Sequence, residues 1–115
     1  MENKDFSKQL QARTKAFAIG IIKLSSGLPN SVEGRIIRSQ LAKAGTSIGA
    51  NYREANRSRS KADFRSKIRL CESESSETCY WLEIISDMKW NDASSILIES
   101  NELLAIFTSI GKNLN

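Results

Sequence analysis

A cluster of basic side chains between residues 53 and 69 is the part of the sequence best suited to binding chemistry. Arginine and lysine at this density can contact the phosphates of a nucleic acid or the carboxylates of another protein. Lys61, Arg65 and Arg69 are four residues apart, a spacing that places them on one face of a helix. Like charges at that spacing oppose an isolated helix by about 0.2–0.5 kcal/mol per pair, so we expect something negative nearby. The candidate contact residues are Arg53, Arg57, Arg59, Lys61, Arg65 and Arg69.

The distribution of charge along the chain leaves three kinds of negative partner open. Residues 35–69 carry ten basic side chains against two acids, whereas residues 70–115 carry two against eight. The partner could be the acids of the same fold, as scattered ion pairs on a solvated face that stabilise little. It could be the acidic half of a neighbouring subunit, in a head-to-tail contact that makes a ring if the rotation closes. It could also be a polyanion such as RNA.

No group of residues predicts catalysis or metal binding. The sequence contains no histidine, which removes the commonest general base and metal ligand. Cys71 and Cys79 would lie about 12 Å apart on one helix, beyond the ~7 Å limit for a disulfide. We predict two buried, reduced thiols. Because the acids Glu54, Glu74 and Glu77 have no matching nucleophile, we expect no enzyme, catalytic residue, cofactor, metal or small-molecule substrate.

A run of small residues in the middle of the chain resembles a phosphate-binding loop only superficially. The stretch from Gly45 to Gly49 matches neither GxxxxGK[ST] nor GxGxxG, and no strand signal precedes it. Small side chains on a helix let another helix backbone approach closely. We therefore predict a packing face, made by Ala42, Ala44, Gly45, Gly49 and Ala50.

The apolar residues recur every three or four positions along four segments, which predicts four amphipathic helices. Pro29 after Gly27 ends the first segment, and Ser60 with Asp63 marks the start of the third. Asp92 is a candidate cap for the fourth. Short connections force neighbouring helices to be antiparallel, so we predict a single all-α domain, an up-down-up-down four-helix bundle. The predicted helices span approximately residues 5–27, 31–57, 60–89 and 92–113.

The chain has no segment that predicts insertion into a membrane. Its longest apolar run, residues 17–22, is far shorter than the roughly 18 residues that a membrane span needs. The first residues contain no apolar core of the kind found in signal peptides. We expect a cytoplasmic protein without a membrane partner.

Four motifs within residues 38–85 together resemble a known family. They are Ser47-Ile48-Gly49-Ala50-Asn51, Glu54-Ala55, Ser60-Lys61-x-Asp63-Phe64 and Glu74-x-x-Glu77-Thr78-x-Tyr80-Trp81-Leu82. This stretch resembles the bacterial four-helix bundle proteins encoded by intervening sequences in 23S ribosomal RNA genes. It is similar also to the accessory variability determinant of diversity-generating retroelements, a basic pentameric barrel that associates with a reverse transcriptase and nucleic acid.

The resemblance implies an antiparallel four-helix bundle that assembles as a homopentamer, with no established enzymatic activity. It also implies an inner polar layer made by Asn51, Glu74, Glu77 and Thr78, in which we expect Asn51 or its turn to bond to a carboxylate or hydroxyl of the third helix. We predict a non-enzymatic homo-oligomeric binding or scaffold module. Its partner would be RNA or a reverse-transcriptase-type ribonucleoprotein. The alternative is a purely structural self-assembling protein whose basic face lies in subunit contacts.

Overall fold

The computed structural model describes residues 3–114, which form four helices and no strand. Their bounds are α1 Lys4–Ser25, α2 Val32–Ala55, α3 Lys61–Asp87 and α4 Ser94–Lys112. Each bound lies within about two residues of its predicted position. The predicted all-α fold is therefore confirmed, and the 3.6-residue period of the apolar side chains was sufficient to find every helix.

Side-chain caps explain where the second and third helices begin. The Oγ of Ser31 accepts a hydrogen bond from the backbone N–H of Gly34, and the Oγ of Ser60 accepts one from Asp63. Both satisfy an N–H that has no partner inside its helix. The predicted start of α3 at Ser60 is confirmed by this bond.

The start of α4 differs from the prediction by one position. The N-cap residue is Ala93, which supplies no side-chain bond. Asp92 instead accepts from both the backbone N–H and the Oγ of Ser94, at 3.2 and 2.7 Å. These two bonds lower the pKa of Asp92 and hold the turn that precedes the helix.

The helices pack as an antiparallel bundle with one side more open than the others. Helix α2 packs along α3, α3 along α4, and α1 along α2, whereas α1 and α4 touch over a shorter stretch. The register between α1 and α2 is fixed where Ser7 donates to Asn56 at 2.5 Å. The core is mainly apolar, with a few buried hydroxyl residues such as Thr14, Ser75 and Thr78. Its large, fully buried side chains include Ile21, Leu41, Ile48, Tyr52, Ile68, Leu82, Leu103 and Phe107.

The predicted packing face on α2 lies against α1. A Cβ added to Gly45 would come within 2.8 Å of Ile21, and one added to Gly49 would come within 3.1 Å of the Thr14 Oγ1. These separations are shorter than normal contacts, so glycine is what lets the two helices approach this closely. Gly45 and Gly49 therefore allow α1 and α2 to pack closely, while Ala50 of the same run is exposed.

The four helices make a rod with two distinct ends, measuring 44 × 22 × 20 Å. One end, which we call the corner end, contains the start of α1, the α2–α3 connection and the end of α4. The connections that join α1 to α2 and α3 to α4 lie at the opposite end. No helix in the described part of the chain is long and apolar enough to cross a membrane.

Candidate nucleic-acid or subunit interface

The connection between α2 and α3, residues 56–60, presents exposed arginines at the corner end. Arg57 and Arg59 lie on this connection, Arg53 lies in the last turn of α2, and Lys61 begins α3; all four are exposed. Asn56 fixes the path of the chain, because its Nδ2 donates to the Tyr52 carbonyl at 2.8 Å while its Oδ1 accepts from α1. The arginines therefore project from a backbone that the two hydrogen bonds of Asn56 hold in place.

The basic surface continues along α3 as a row made by Lys61, Arg65 and Arg69, as the four-residue spacing predicts. Lys61 and Arg69 are exposed, whereas Arg65 is half-buried. Its Nη2 donates to the carbonyl of Leu114 at 3.2 Å, and its Nε is buried without a hydrogen-bond partner. Arg65 thus ties the end of α4 to the start of α3, and it keeps one guanidinium N–H unused.

None of the six candidate basic residues forms an ion pair within residues 3–114. Ion pairs with N–O distances up to 4.0 Å are formed there by Arg13 alone, with Glu99 and Glu102. The acids of the same fold are thus not the direct partners of the basic surface.

The four residues of the expected inner polar layer are not all on the inner side of their helices, which corrects that prediction. Thr78 is buried, Asn51 and Glu74 are half-buried, and Glu77 is exposed. Glu77 lies on the outer side of α3, where its carboxylate accepts from the Trp81 Nε1 at 3.1 Å. A step of 100° per residue turns it away from the inward side that Thr78 occupies.

The polar groups near the core are satisfied inside their own helices. The Nδ2 of Asn51 donates to the Ser47 carbonyl at 2.9 Å, and the Thr78 Oγ1 donates to the Glu74 carbonyl at 2.7 Å. Each bond runs four residues back along the same helix, a common arrangement for short polar side chains. The predicted bond from Asn51 to α3 is therefore wrong, because the nearest carbonyl of α2 takes its N–H.

The carboxyl group of Glu74 lies in an unfavourable environment beside α2. Partial burial raises its pKa, and the nearby charge of Glu77 raises it further, while Lys43 of α2 lowers it in part. No cluster of three or more metal-ligating side chains occurs among the residues that the structure describes. A perturbed acid without a nucleophile or metal beside it does not define a catalytic centre.

Sequence reasoning missed an aromatic residue on the outer side of α3. Tyr52 and Phe64, the aromatics that lie within the basic stretch or next to it in the sequence, are both buried in the core. Tyr80 is 56% exposed and lines a groove together with Arg69 and Leu104. Its spacing of eleven residues from Arg69 is close to three helical turns, so counting turns from the basic row would have found it.

The fold and its surface define a small antiparallel four-helix bundle with an unpaired basic corner. The chain belongs to the family of 23S rRNA-intervening sequence proteins, whose pattern matches residues 7–115. It is similar to a solved protein of unknown function from the S23 ribosomal protein family of Bacteroides thetaiotaomicron, with 33% identity and a TM-score of 0.84. The match covers 92% of this chain and 97% of that one. A search among proteins of curated function found no match.

Proposed function

We propose that the chain is a non-enzymatic, self-assembling helical bundle that binds RNA through its corner and the basic row of α3. The observation that carries the proposal is the lack of any ion pair between the six basic residues and the carboxylates of residues 3–114. Unpaired surface cations keep mobile counterions nearby, and an RNA backbone that replaces them releases its own condensed cations, which favours binding. The family name, which refers to 23S rRNA genes, is compatible with such a partner.

Exposed apolar side chains support the self-assembly part of the proposal. Large apolar residues are exposed on the half of the rod away from the corner, where a second copy could cover them. They are Ile19, Ile22, Val32, Ile36, Met88 and Ile98. This arrangement leaves the corner free while subunits meet elsewhere. The expected number of five subunits comes from the resemblance.

The test compares two charge-reversal variants that change the net charge equally. Arg57→Glu combined with Arg69→Glu removes exposed cations of the proposed surface, whereas Lys15→Glu combined with Lys23→Glu removes exposed cations of α1. Filter binding to a structured RNA is measured at 50 and 200 mM salt, with light scattering to follow the subunit number. We expect the first variant alone to lose RNA binding, without a change in assembly. Absence of binding by the unmodified protein at low salt, or binding that salt does not weaken, contradicts the proposal.

The alternative function is a purely structural assembly whose basic surface meets acids of the next subunit. One observation favours it: Glu77, Glu83 and Asp87 are exposed on α3 and form no ion pair within the described chain. A head-to-tail contact could pair these carboxylates with the arginines of a neighbour. In that case the Arg57→Glu, Arg69→Glu variant loses its assembled state, and the unmodified protein does not bind RNA at either salt concentration.

A further inference from the structure

We infer that the RNA bound by this surface is single-stranded and lies along the outer face of α3, with one base stacked on Tyr80. The inference rests on the proposed function and specifies its substrate class. It depends on a trough made by two neighbouring grooves, on the setting of the Tyr80 ring, and on the way charge changes between the two ends of the trough.

Two shallow grooves lie next to each other on α3. The first is lined by Ala62, Arg65 and Arg69 among others, and the second by Arg69, Ser73, Ser76 and Tyr80 with Leu104 of α4. Their volumes are about 430 and 630 Å³. Because Arg69 lines both, the two grooves are neighbours along α3, and together they make what we call the trough. The trough therefore leads from the basic row to the exposed aromatic ring.

The ring of Tyr80 is held in place on one side and open on the other. It packs edge-on against Trp81, with 5.2 Å between ring centroids and 63° between ring planes. Trp81 is itself fixed by its Nε1–H bond to Glu77. A ring that is 56% exposed but restrained by a neighbour loses little conformational freedom when a base stacks on it.

The distance between the cationic end and the aromatic end suits a short strand. Arg69 and Tyr80 are eleven residues apart on one helix, about 16 Å at 1.5 Å per residue. At about 3.4 Å per stacked nucleotide in one strand, the interval holds about five nucleotides. The exposed hydroxyls of Ser73 and Ser76 lie between the two ends, where they can bond to phosphate or to a ribose 2′-hydroxyl.

The charge at the two ends of the trough favours phosphates at one end and a base at the other. Arg65 and Arg69 make the first end positive, and neither pairs with a carboxylate of residues 3–114. Near Tyr80 the trough is flanked by Glu77, whereas Glu72, which accepts from the Thr108 hydroxyl, lies three residues from Arg69. Carboxylates repel phosphate but tolerate a neutral base, so a base at Tyr80 with phosphates at the arginines is the favoured arrangement. Bases in a duplex are already stacked on each other, so this arrangement needs a single strand.

The experiment measures fluorescence anisotropy of a labelled ten-nucleotide single-stranded RNA and of the blunt duplex formed with its complement. The variants are Tyr80→Ala and Tyr80→Phe. Tyr80→Phe is the matched control, because it keeps the aromatic ring and removes only the hydroxyl. We expect Tyr80→Ala to weaken single-strand binding by about five-fold or more, since stacking on an aromatic contributes about 1–3 kcal/mol per base. The single-strand affinity of Tyr80→Phe and the duplex affinities of both variants should stay within about two-fold of the unmodified protein.

The outcomes separate this inference from the function on which it rests. If Tyr80→Ala leaves single-strand binding unchanged, or weakens duplex binding equally, the stacking inference is overturned while binding through the arginines stands. If the unmodified protein binds neither RNA at low salt, both are overturned. Circular dichroism melts of each variant test whether a loss of binding comes from a loss of fold. Because Tyr80 is exposed, we expect its replacement to leave the fold intact.

Discussion

Arg13 of α1 and Glu99 of α4 form a bidentate ion pair across the more open side of the bundle. The Nε of Arg13 lies 2.6 Å from one carboxylate oxygen of Glu99, and its Nη2 lies 2.7 Å from the other. The same Nη2 also donates to Glu102 at 2.8 Å. The hydrogen bond to Glu99 is the largest cause of a raised pKa at Arg13. Because α1 and α4 share the shortest contact of any packed pair, this cluster holds together the side that apolar packing secures least.

Replacing Arg13 by alanine should lower the free energy of unfolding by about 1 kcal/mol, the upper range for a partly exposed ion pair. The corresponding fall in melting temperature is about 4 °C. A double-mutant cycle with Glu99→Gln at low and high salt isolates the pair, and Lys15→Ala on the same helix is the control. A coupling energy near zero at low salt would mean that α1 is held by packing alone.

Replacing Gly45 by alanine should destabilise the bundle, although alanine favours a helix. The new Cβ would lie 2.8 Å from two carbons of Ile21, so α1 and α2 would have to separate. Overpacking of this kind costs about 1–3 kcal/mol, which exceeds the helical gain of up to about 1 kcal/mol. Urea denaturation measures the difference. Gly111→Ala is the matched control, since its Cβ would stand 4.0 Å from its nearest neighbours, and a similar loss there would contradict the explanation.

Replacing Glu74 by glutamine should raise the melting temperature at pH 7 but not at acid pH. Burial and the charge of Glu77 raise the pKa of Glu74 in the folded state above its ordinary value. The wild-type protein therefore gains stability relative to the variant when Glu74 is protonated and loses it as the pH rises through the folded pKa. Thermal melts at pH 7 and below about pH 4 check this. Glu83→Gln, which removes an exposed charge of α3, is the control, and a benefit of Glu74→Gln that is as large at acid pH as at pH 7 would count against it.

Replacing Glu77 by glutamine should tighten the binding of single-stranded RNA. The exposed carboxylate flanks the trough beside Tyr80, and its removal takes away a repulsion while the amide oxygen can still accept from Trp81. An exposed charge interaction of 0.2–1 kcal/mol corresponds to a gain of about two-fold. Anisotropy titrations at low salt measure it, with Glu33→Gln at the opposite end of the rod as the control. Equal gains for both variants would show only an effect of net charge.

The two thiols should be unreactive until the protein unfolds. Cys71 and Cys79 are both buried, and burial raises the pKa of the Cys79 thiol, which lies 3.1 Å from the Ser100 hydroxyl. A thiol reagent such as DTNB needs an accessible thiolate, so we expect no reaction in buffer and complete reaction in guanidinium. Rapid modification in buffer would indicate that α3 frequently separates from a neighbour, from α2 if Cys71 reacts and from α4 if Cys79 reacts.

The sequence predicts those features that depend on one helix at a time. The apolar period locates all four helices, and local cap chemistry identifies Ser60 because the capping group and its N–H are three residues apart. Asp92 shows the limit of this reasoning, since a carboxylate can hold the turn from one position further out. Contacts between helices cannot be predicted in this way, because periodicity does not specify how neighbouring helices are rotated relative to each other.

The positions of Asn51, Glu77 and Tyr80 illustrate that limit. Asn51 has the correct phase for the inner side of α2, but whether it reaches α3 depends on the distance between helices, and the Ser47 carbonyl is nearer. Glu77 and Tyr80 share the outer side of α3, a side that the motif resemblance does not distinguish from the inner one. The pairing of Arg13 with Glu99 joins residues 86 positions apart and has no local signal.

The concentration of arginines at one end of a 44 Å rod would also affect how the molecule meets the proposed RNA. Such a particle has a permanent electric moment along its long axis, so the field of a polyanion turns it before contact. We expect encounters to be end-first, with an association rate constant that falls steeply as ionic strength rises, while the dissociation rate constant changes less. Orientation during approach would then bring the corner end, rather than the sides of the rod, to the polyanion before any short-range contact forms.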